Sequence, residues 1–292
     1  MLRDILRFNR EALALLDAVQ PAGGAGLTTV RRCALANTRG SVLLSSQLAE
    51  QALQCFAAAL ALAQQAAHRQ WEGGAHGNIG AALYTLGRRR EALCHFDGAH
   101  TIACEVGDRA WAANAQCNRG LLQMELGDTA PARAALDDAL QAAQDIGQAA
   151  LEATAGCNLG LLLLAEGAAG QAIGRLQDAA ALAHRLVDHG LAAQCERALA
   201  QALEAMGDHS GALSALSRAA EAAAAAGDQA EQVRGQLHEA RLLVAMGRQD
   251  AARNALARAL GTFSMLSTEA QALLDDETAR TRAVVLSSSH SR

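Results

Sequence analysis

The 292-residue chain has no lysine; all 25 of its basic residues are arginine. Without lysine there is no Walker A phosphate loop and no Schiff-base nucleophile. The arginines are scattered and the formal net charge is -5. Both facts argue against a polybasic surface for nucleic acid or membrane. Aromatic residues make up only 2%, and proline occurs twice, at Pro21 and Pro131. So few aromatic residues argue against β-rich folds, whose strands use them heavily. Long apolar runs are missing too. The longest, around 159–165, falls far short of the ~20 residues that span a bilayer. The first eight residues carry Arg3, Asp4 and Arg7 and hold no signal-peptide core. These absences describe a soluble protein, expected in the cytoplasm. The seven cysteines are odd in number and include no C-x-x-C. That excludes a paired disulfide framework and a zinc-ribbon spacing, and predicts small buried thiols in a reducing compartment.

What is abundant is alanine, 72 residues of it. Alanine is the best helix former, so the composition predicts an all-α fold. A shift of 40 residues then aligns the chain on itself without a gap. Gly87, Gly127, Gly167, Gly207 and Gly247 form one column, and Gly40, Gly80, Gly120 and Gly160 a second, continued by Ala200 and Ala240. Ala52, Ala92, Ala132, Ala172, Ala212 and Ala252 form a third, Phe56, Phe96, Leu136, Leu176, Leu216 and Leu256 a fourth, and Ala59, Ala99, Ala139, Ala179, Ala219 and Ala259 a fifth. Self-similarity at a fixed period of this size is the mark of a stacked repeat architecture.

The first glycine column marks helix ends, where a left-handed residue closes the last turn. Asp128 and Asp208, which follow it, are expected as N-caps of the next helix. A second break recurs at Gly107, Gly147 and Gly227. Each repeat is therefore a helix A and a helix B; in the third, A is expected over about 108–126 and B over about 130–146. The mid-helix glycines cost roughly 1 kcal/mol each relative to alanine, so a close helix crossing is expected there. Ala12 and Leu16 fall on the helix B columns, which makes residues 1–19 a half-repeat. Six full repeats occupy about 28–267, a more polar capping helix 268–286, and a disordered tail 287–292, all in a single solenoid.

The run Asn78-Ile79-Gly80-x-x-Leu83, followed by Gly87, Ala92, Phe96 and Ala99, resembles the tetratricopeptide repeat (TPR). The 40-residue period, longer than the common length of about 34, is similar to repeats of the LGN/Pins and kinesin light chain type. The stretch from Gly107-Asp108-Arg109-Ala110 to Asn118-Arg119-Gly120 carries that likeness further. The resemblance implies a right-handed α-solenoid whose A helices line a concave groove. At the position where the pattern usually begins with Trp, this chain has His76, Gln116, Gly156, Glu196 and Gln236. Trp71 and Trp111 share another column and are expected to pack between repeats.

No catalytic constellation is present: there is no H-E-x-x-H and no G-x-S-x-G. No cofactor and no metal site is expected; His100 and Cys104, four apart on one helix, are read as ordinary packing. Cys117 and Cys157 share a column, read as small residues on the groove face. The functional expectation follows from the resemblance. In relatives that bind extended peptides, an asparagine two residues before the helix A glycine holds the peptide backbone. Here that column is Asn78, Asn118 and Asn158, with Asn114 one turn away. An amide offers two donors and an acceptor, enough to pair with both groups of a peptide bond. Tyr84 and Met124 are expected to wall an apolar pocket. In repeats five and six the column becomes Ala198 and His238, with Gln194, Arg197, Gln201, Arg234 and Arg241 nearby. Those arginines would suit an acidic or C-terminal carboxylate group on the partner.

The sequence thus describes a non-enzymatic scaffold that binds a protein or peptide in a groove, with no nucleic acid and no membrane as partner. Two alternatives stand beside it. One is a sensory or regulatory module of a bacterial signalling protein whose output domain is absent, since helix 269–286 resembles the linker after such arrays and the first helix A is missing. The other is a self-associating homo-oligomer.

Overall fold

A computed structural model describes residues 9, 11–16 and 28–287. Those at 9 and 11–16 are helical, and Asn9 donates to Ser45 Oγ at 3.1 Å. The remainder of the expected first half-repeat, the residues from there to 27 and the tail from 288 lie outside the described residues. From Thr29 onward the helices come in consecutive pairs. They are α1 (Thr29–Ser45) and α2 (Ala49–Gln65), α3 (Arg69–Thr85) and α4 (Arg89–Val106), α5 (Arg109–Leu126) and α6 (Thr129–Asp145). There follow α7 (Ala149–Ala165) and α8 (Ala169–Arg185), α9 (His189–Ala205) and α10 (His209–Ala226), α11 (Gln229–Ala245) and α12 (Gln249–Phe263), and a final α13 (Thr268–Ser287). The chain is all-α, a solenoid of helix-turn-helix repeats, and the described residues contain no strand.

The backbone repeats on half the sequence period. Every twentieth residue from 47 to 247 is left-handed, and eight of these are glycines with φ between 68° and 87°. The other three are Gln47, Ala67 and Val187, with φ of 63°, 50° and 58°. After each break an N–H reaches back over the turn, as in Asp128 N to Gln123 O at 2.8 Å and Asp188 N to Ala183 O at 3.0 Å. This is the Schellman closure, and it ends the helix whichever residue occupies the left-handed position. Capping differs from expectation in detail. Asp208 accepts from Gly211 N at 2.8 Å, and Asp108, Asp188 and Asp228 cap in the same way. Asp128 makes no side-chain cap bond.

The alanine columns of helix B are buried, and so is the Phe/Leu column between them. That column explains the glycines of helix A. A Cβ on Gly40 would lie 2.5 Å from the Phe56 ring, on Gly120 2.6 Å from Leu136 and on Gly160 2.6 Å from Leu176. The close crossing is thus with the bulky residue of the same repeat's own helix B. Between repeats the contact is different: a Cβ on Gly73 would meet the Trp111 indole at 2.0 Å. Trp111 therefore packs on the preceding repeat, and Trp71 lies against the cluster of Cys33, Ala59 and Ala63.

The contacts divide the chain into two compact units, residues 1–151 and 152–292. In the first, neighbouring helices pack in series, and α1 also touches α3. In the second, α9 touches α11 and α11 touches α13. These pairs are A helices that each touch the A helix of the next repeat. α13 stands where the next helix A would be. It buries Leu274, Thr281 and Val285 against α11 and α12 and leaves Leu273 exposed, as a terminal cap does.

Cysteine burial is only partly as expected. Cys33, Cys117, Cys157 and Cys195 are buried, but Cys55 is half-buried and Cys94 and Cys104 are exposed. The exposed pair sits on α4 at positions where other repeats carry solvent-facing polar residues such as Gln54, Gln64 and Asn254. Cys117 and Cys157 are not on an open groove face; both are buried in the packed interior. The Cys195 thiol is pushed up by its hydrogen bond with Cys157 and by burial.

Candidate functional site

The A-helix face of the first unit carries a cavity of about 210 Å3. Leu44 of α1, Ala81, Tyr84 and Thr85 of α3, Phe96 of α4, and Asn118, Leu121 and Leu122 of α5 line it. The repeat geometry makes this space. Phe96 reaches under Gly80, where its ring stands 3.0 Å from the place of a Cβ. The ring edge then forms the floor between α3 and α5. Tyr84 forms a wall and is fixed from outside, its hydroxyl donating to Glu125 Oε1 at 2.7 Å. Arg89 engages the other oxygen of Glu125. Burial and that hydrogen bond push the Tyr84 phenol up to about 12, so it stays a neutral donor. Met124, expected in the same wall, is half-buried and not in the lining.

The asparagine column does not form three equal sites. Asn78 is half-buried and donates to Asn37 Oδ1 of α1 at 2.7 Å, tying two A helices together. Asn118 bonds along its own helix to the exposed Asn114, at a long 3.3 Å, and lines the cavity. Asn158, on α7 of the second unit, is only 6% exposed.

In the second unit the arginines do not stand free, a departure from the expected cationic end. Arg197 binds Glu231, and Arg234 meets the same carboxylate at 3.3 Å. Arg241 binds Glu277 of α13 at 3.0 Å and Thr281 at 2.9 Å. His238 donates through Nε2 to Glu204 at 2.6 Å, with its Nδ1 buried and unpartnered. Burial lowers the His238 pKa, with Glu204 opposing and Arg241 and Arg197 adding to the shift. Gln194 is half-buried and Gln201 exposed. The signal for this compensation was in the sequence. Arg197–Glu231, Glu204–His238 and Arg241–Glu277 are 34 to 36 apart, close to one repeat, and so join successive A helices.

Two further clusters escaped the sequence reading. Glu196, 4% exposed, takes both nitrogens of an Arg218 fork at 2.8 Å and meets His184 at 3.2 Å, joining α8, α9 and α10. His76 of α3 faces His95 of α4. His100 and Cys104 approach at 3.7 Å. Among the described residues no three His, Cys, Asp or Glu side chains gather as a metal site, and no helix is long and apolar enough to cross a membrane.

No family model and no curated protein matches this sequence. Solved structures do match it. A Rap protein complexed with competence and sporulation factor aligns over 94% of this chain and 81% of its own, with TM-score 0.69 and 15% identity. The apo form of the quorum sensor NprR from B. thuringiensis aligns over 98% and 86%, with TM-score 0.65 and 15% identity. A kinesin light chain protein of TPR-like repeats from Podospora anserina aligns over 68% and 97%, with TM-score 0.55 and 14% identity. The fold is that of the TPR proteins. At these identities the likeness is one of fold, and the activities of those proteins remain theirs.

Proposed function

We propose that this TPR chain is a protein-interaction module that binds a peptide or extended segment on the A-helix face, anchored in the first unit. The observation that carries this reading is the cavity between α1, α3 and α5 with Asn118 at its edge. At about 210 Å3 it is small for a metabolite and suits one apolar side chain. Burying a leucine, isoleucine or phenylalanine there would contribute about 1.5–3 kcal/mol. Asn118 can leave its long bond to Asn114 and offer its amide to the ligand backbone beside that side chain. Asn78 would do the same only by giving up Asn37. The second unit's Arg197, Arg234 and Arg241 would meet an acidic group only by exchange against Glu231 and Glu277, so the reading rests on the first unit. The Rap protein complexed with competence and sporulation factor is consistent with a ligand held on this fold. That neighbour and the quorum sensor NprR also favour a regulatory over a purely structural setting.

The test is selection of a random peptide library on the purified chain. Peptides that share one apolar position should be enriched. Ala81→Leu, which fills the cavity from α3, should weaken them more than tenfold, and Asn118→Ala by about three- to tenfold. Peptides that bind the Ala81→Leu variant as well as the parent chain would refute the pocket as anchor.

A further inference from the structure

In the second repeat His76 and His95 face each other across the α3–α4 hairpin. Their Nδ1 atoms are 3.1 Å apart, and the ring centroids are 5.0 Å apart with a 38° tilt. Neither histidine is asked for by the repeat. The positions equivalent to His76 hold Ala36, Gln116, Gly156, Glu196 and Gln236. Those equivalent to His95 hold Cys55, Ala135, Arg175, Ala215 and Ala255. Two departures from the pattern thus coincide at the two positions that meet. Room beside them comes from Gly98, where an added Cβ would lie 3.0 Å from His76 Nδ1.

We propose that His76 and His95 form a chelating pair for one divalent transition metal ion of the zinc, nickel and copper class. Imidazole nitrogens suit these ions. With metal–nitrogen bonds of about 2.0–2.1 Å, two nitrogens 3.1 Å apart subtend about 100° at the metal, between square and tetrahedral angles. In the metal-free protein one Nδ1–H donates to the other Nδ1. Binding replaces that proton, which moves to the ring's Nε2, and both Nδ1 lone pairs turn to the ion. Both rings are disposed to the neutral form that a ligand needs. Burial lowers the pKa of each, Arg69 adds to the effect at His76 against Glu72, and His76 adds to it at His95 against Glu91. Glu72 and Glu91 are occupied by Arg69 and Arg88. Among the described residues no third protein ligand gathers here, so water completes the coordination and the site is open and exchangeable. Its consequence is a cross-link within the hairpin that supplies Ala81, Tyr84 and Phe96 to the cavity.

The experiment is titration of the metal-stripped full chain with Zn2+ by calorimetry, repeated with Ni2+ and with Mg2+ as a hard-ion control. One Zn2+ per chain at micromolar affinity is expected, with Ni2+ also binding and Mg2+ not. His76→Gln and His95→Gln should each weaken Zn2+ at least tenfold while leaving helicity unchanged by circular dichroism. Cys104→Ser and His100→Gln, which remove the other close pair on α4, should leave it unaltered. Absence of Zn2+ binding, or binding that survives in the His76→Gln/His95→Gln double variant, would overturn the proposal.

Discussion

Val187 is a β-branched residue held at φ 58°, in a register that eight glycines occupy elsewhere. Such a conformation costs about 1–3 kcal/mol for a non-glycine residue. Val187→Gly removes that strain. Against it stand about 0.4–1 kcal/mol for the freer unfolded chain and up to about 0.5 kcal/mol of lost burial, small because Val187 is 66% exposed. Taking about 2 kcal/mol for the strain, the net gain is about 0.8 kcal/mol. Stacked repeats need not unfold in one step, so the gain should be read locally, as amide hydrogen exchange in α8 and α9. Opening in those helices should become about fourfold rarer. The reciprocal change, Gly167→Val at φ 78°, should speed exchange around its own break. If Val187→Gly does not slow exchange, or if Gly167→Val is tolerated, the twenty-residue backbone period does not set the strain argued from it.

Three further outcomes follow from the packing. Gly120→Ala would place a Cβ 2.6 Å from Leu136 and 3.2 Å from the Ala132 carbonyl. Overpacking of about 1–3 kcal/mol should outweigh the ~1 kcal/mol gain in helix propensity. A double-mutant cycle with Leu136→Ala in chemical denaturation should then show recovery, and simple additivity would refute it. His238 has a folded pKa below its ordinary value of about 6.5, so the neutral ring is the stabilising form. That stability is complete above about pH 6.5 and is lost as the pH falls through the lower folded value. Nuclear magnetic resonance should find the ring titrating below the ordinary histidine value of about 6.5, and His238→Gln should flatten the acid side of the stability profile. Glu196→Ala leaves the Arg218 fork without its carboxylate. Discounted for the half-exposure of Arg218, the loss should be about 1–2 kcal/mol in urea denaturation, and a neutral effect would show the cluster to be ornamental.

The fold was legible because repetition multiplies a weak signal. One glycine before a polar residue says little, but Gly87, Gly127, Gly167, Gly207 and Gly247 at a spacing of 40 define helix ends unambiguously. The pairing of Gly120 with Leu136 was also written in two columns, although their contact became visible only with both helices placed. The candidate site was less legible. Asn78, Asn118 and Asn158 are identical in the sequence register yet differ in what they can do. Their freedom depends on the neighbouring repeat: Asn37 captures the first, and burial encloses the third.

The sequence alone determined the helices, their ends, their pairing and the all-α repeat architecture, because these follow from propensity and periodicity along the chain. Only the tertiary structure decided the rest. It closed Arg197, Arg234 and Arg241 onto Glu231 and Glu277, left a cavity beneath Tyr84, and brought His76 against His95. Hydrogen bonds, ion pairs and cavities depend on distances of a few ångströms between residues one hairpin or one repeat apart. A one-dimensional pattern gives the register of such residues but not the separation of their side chains.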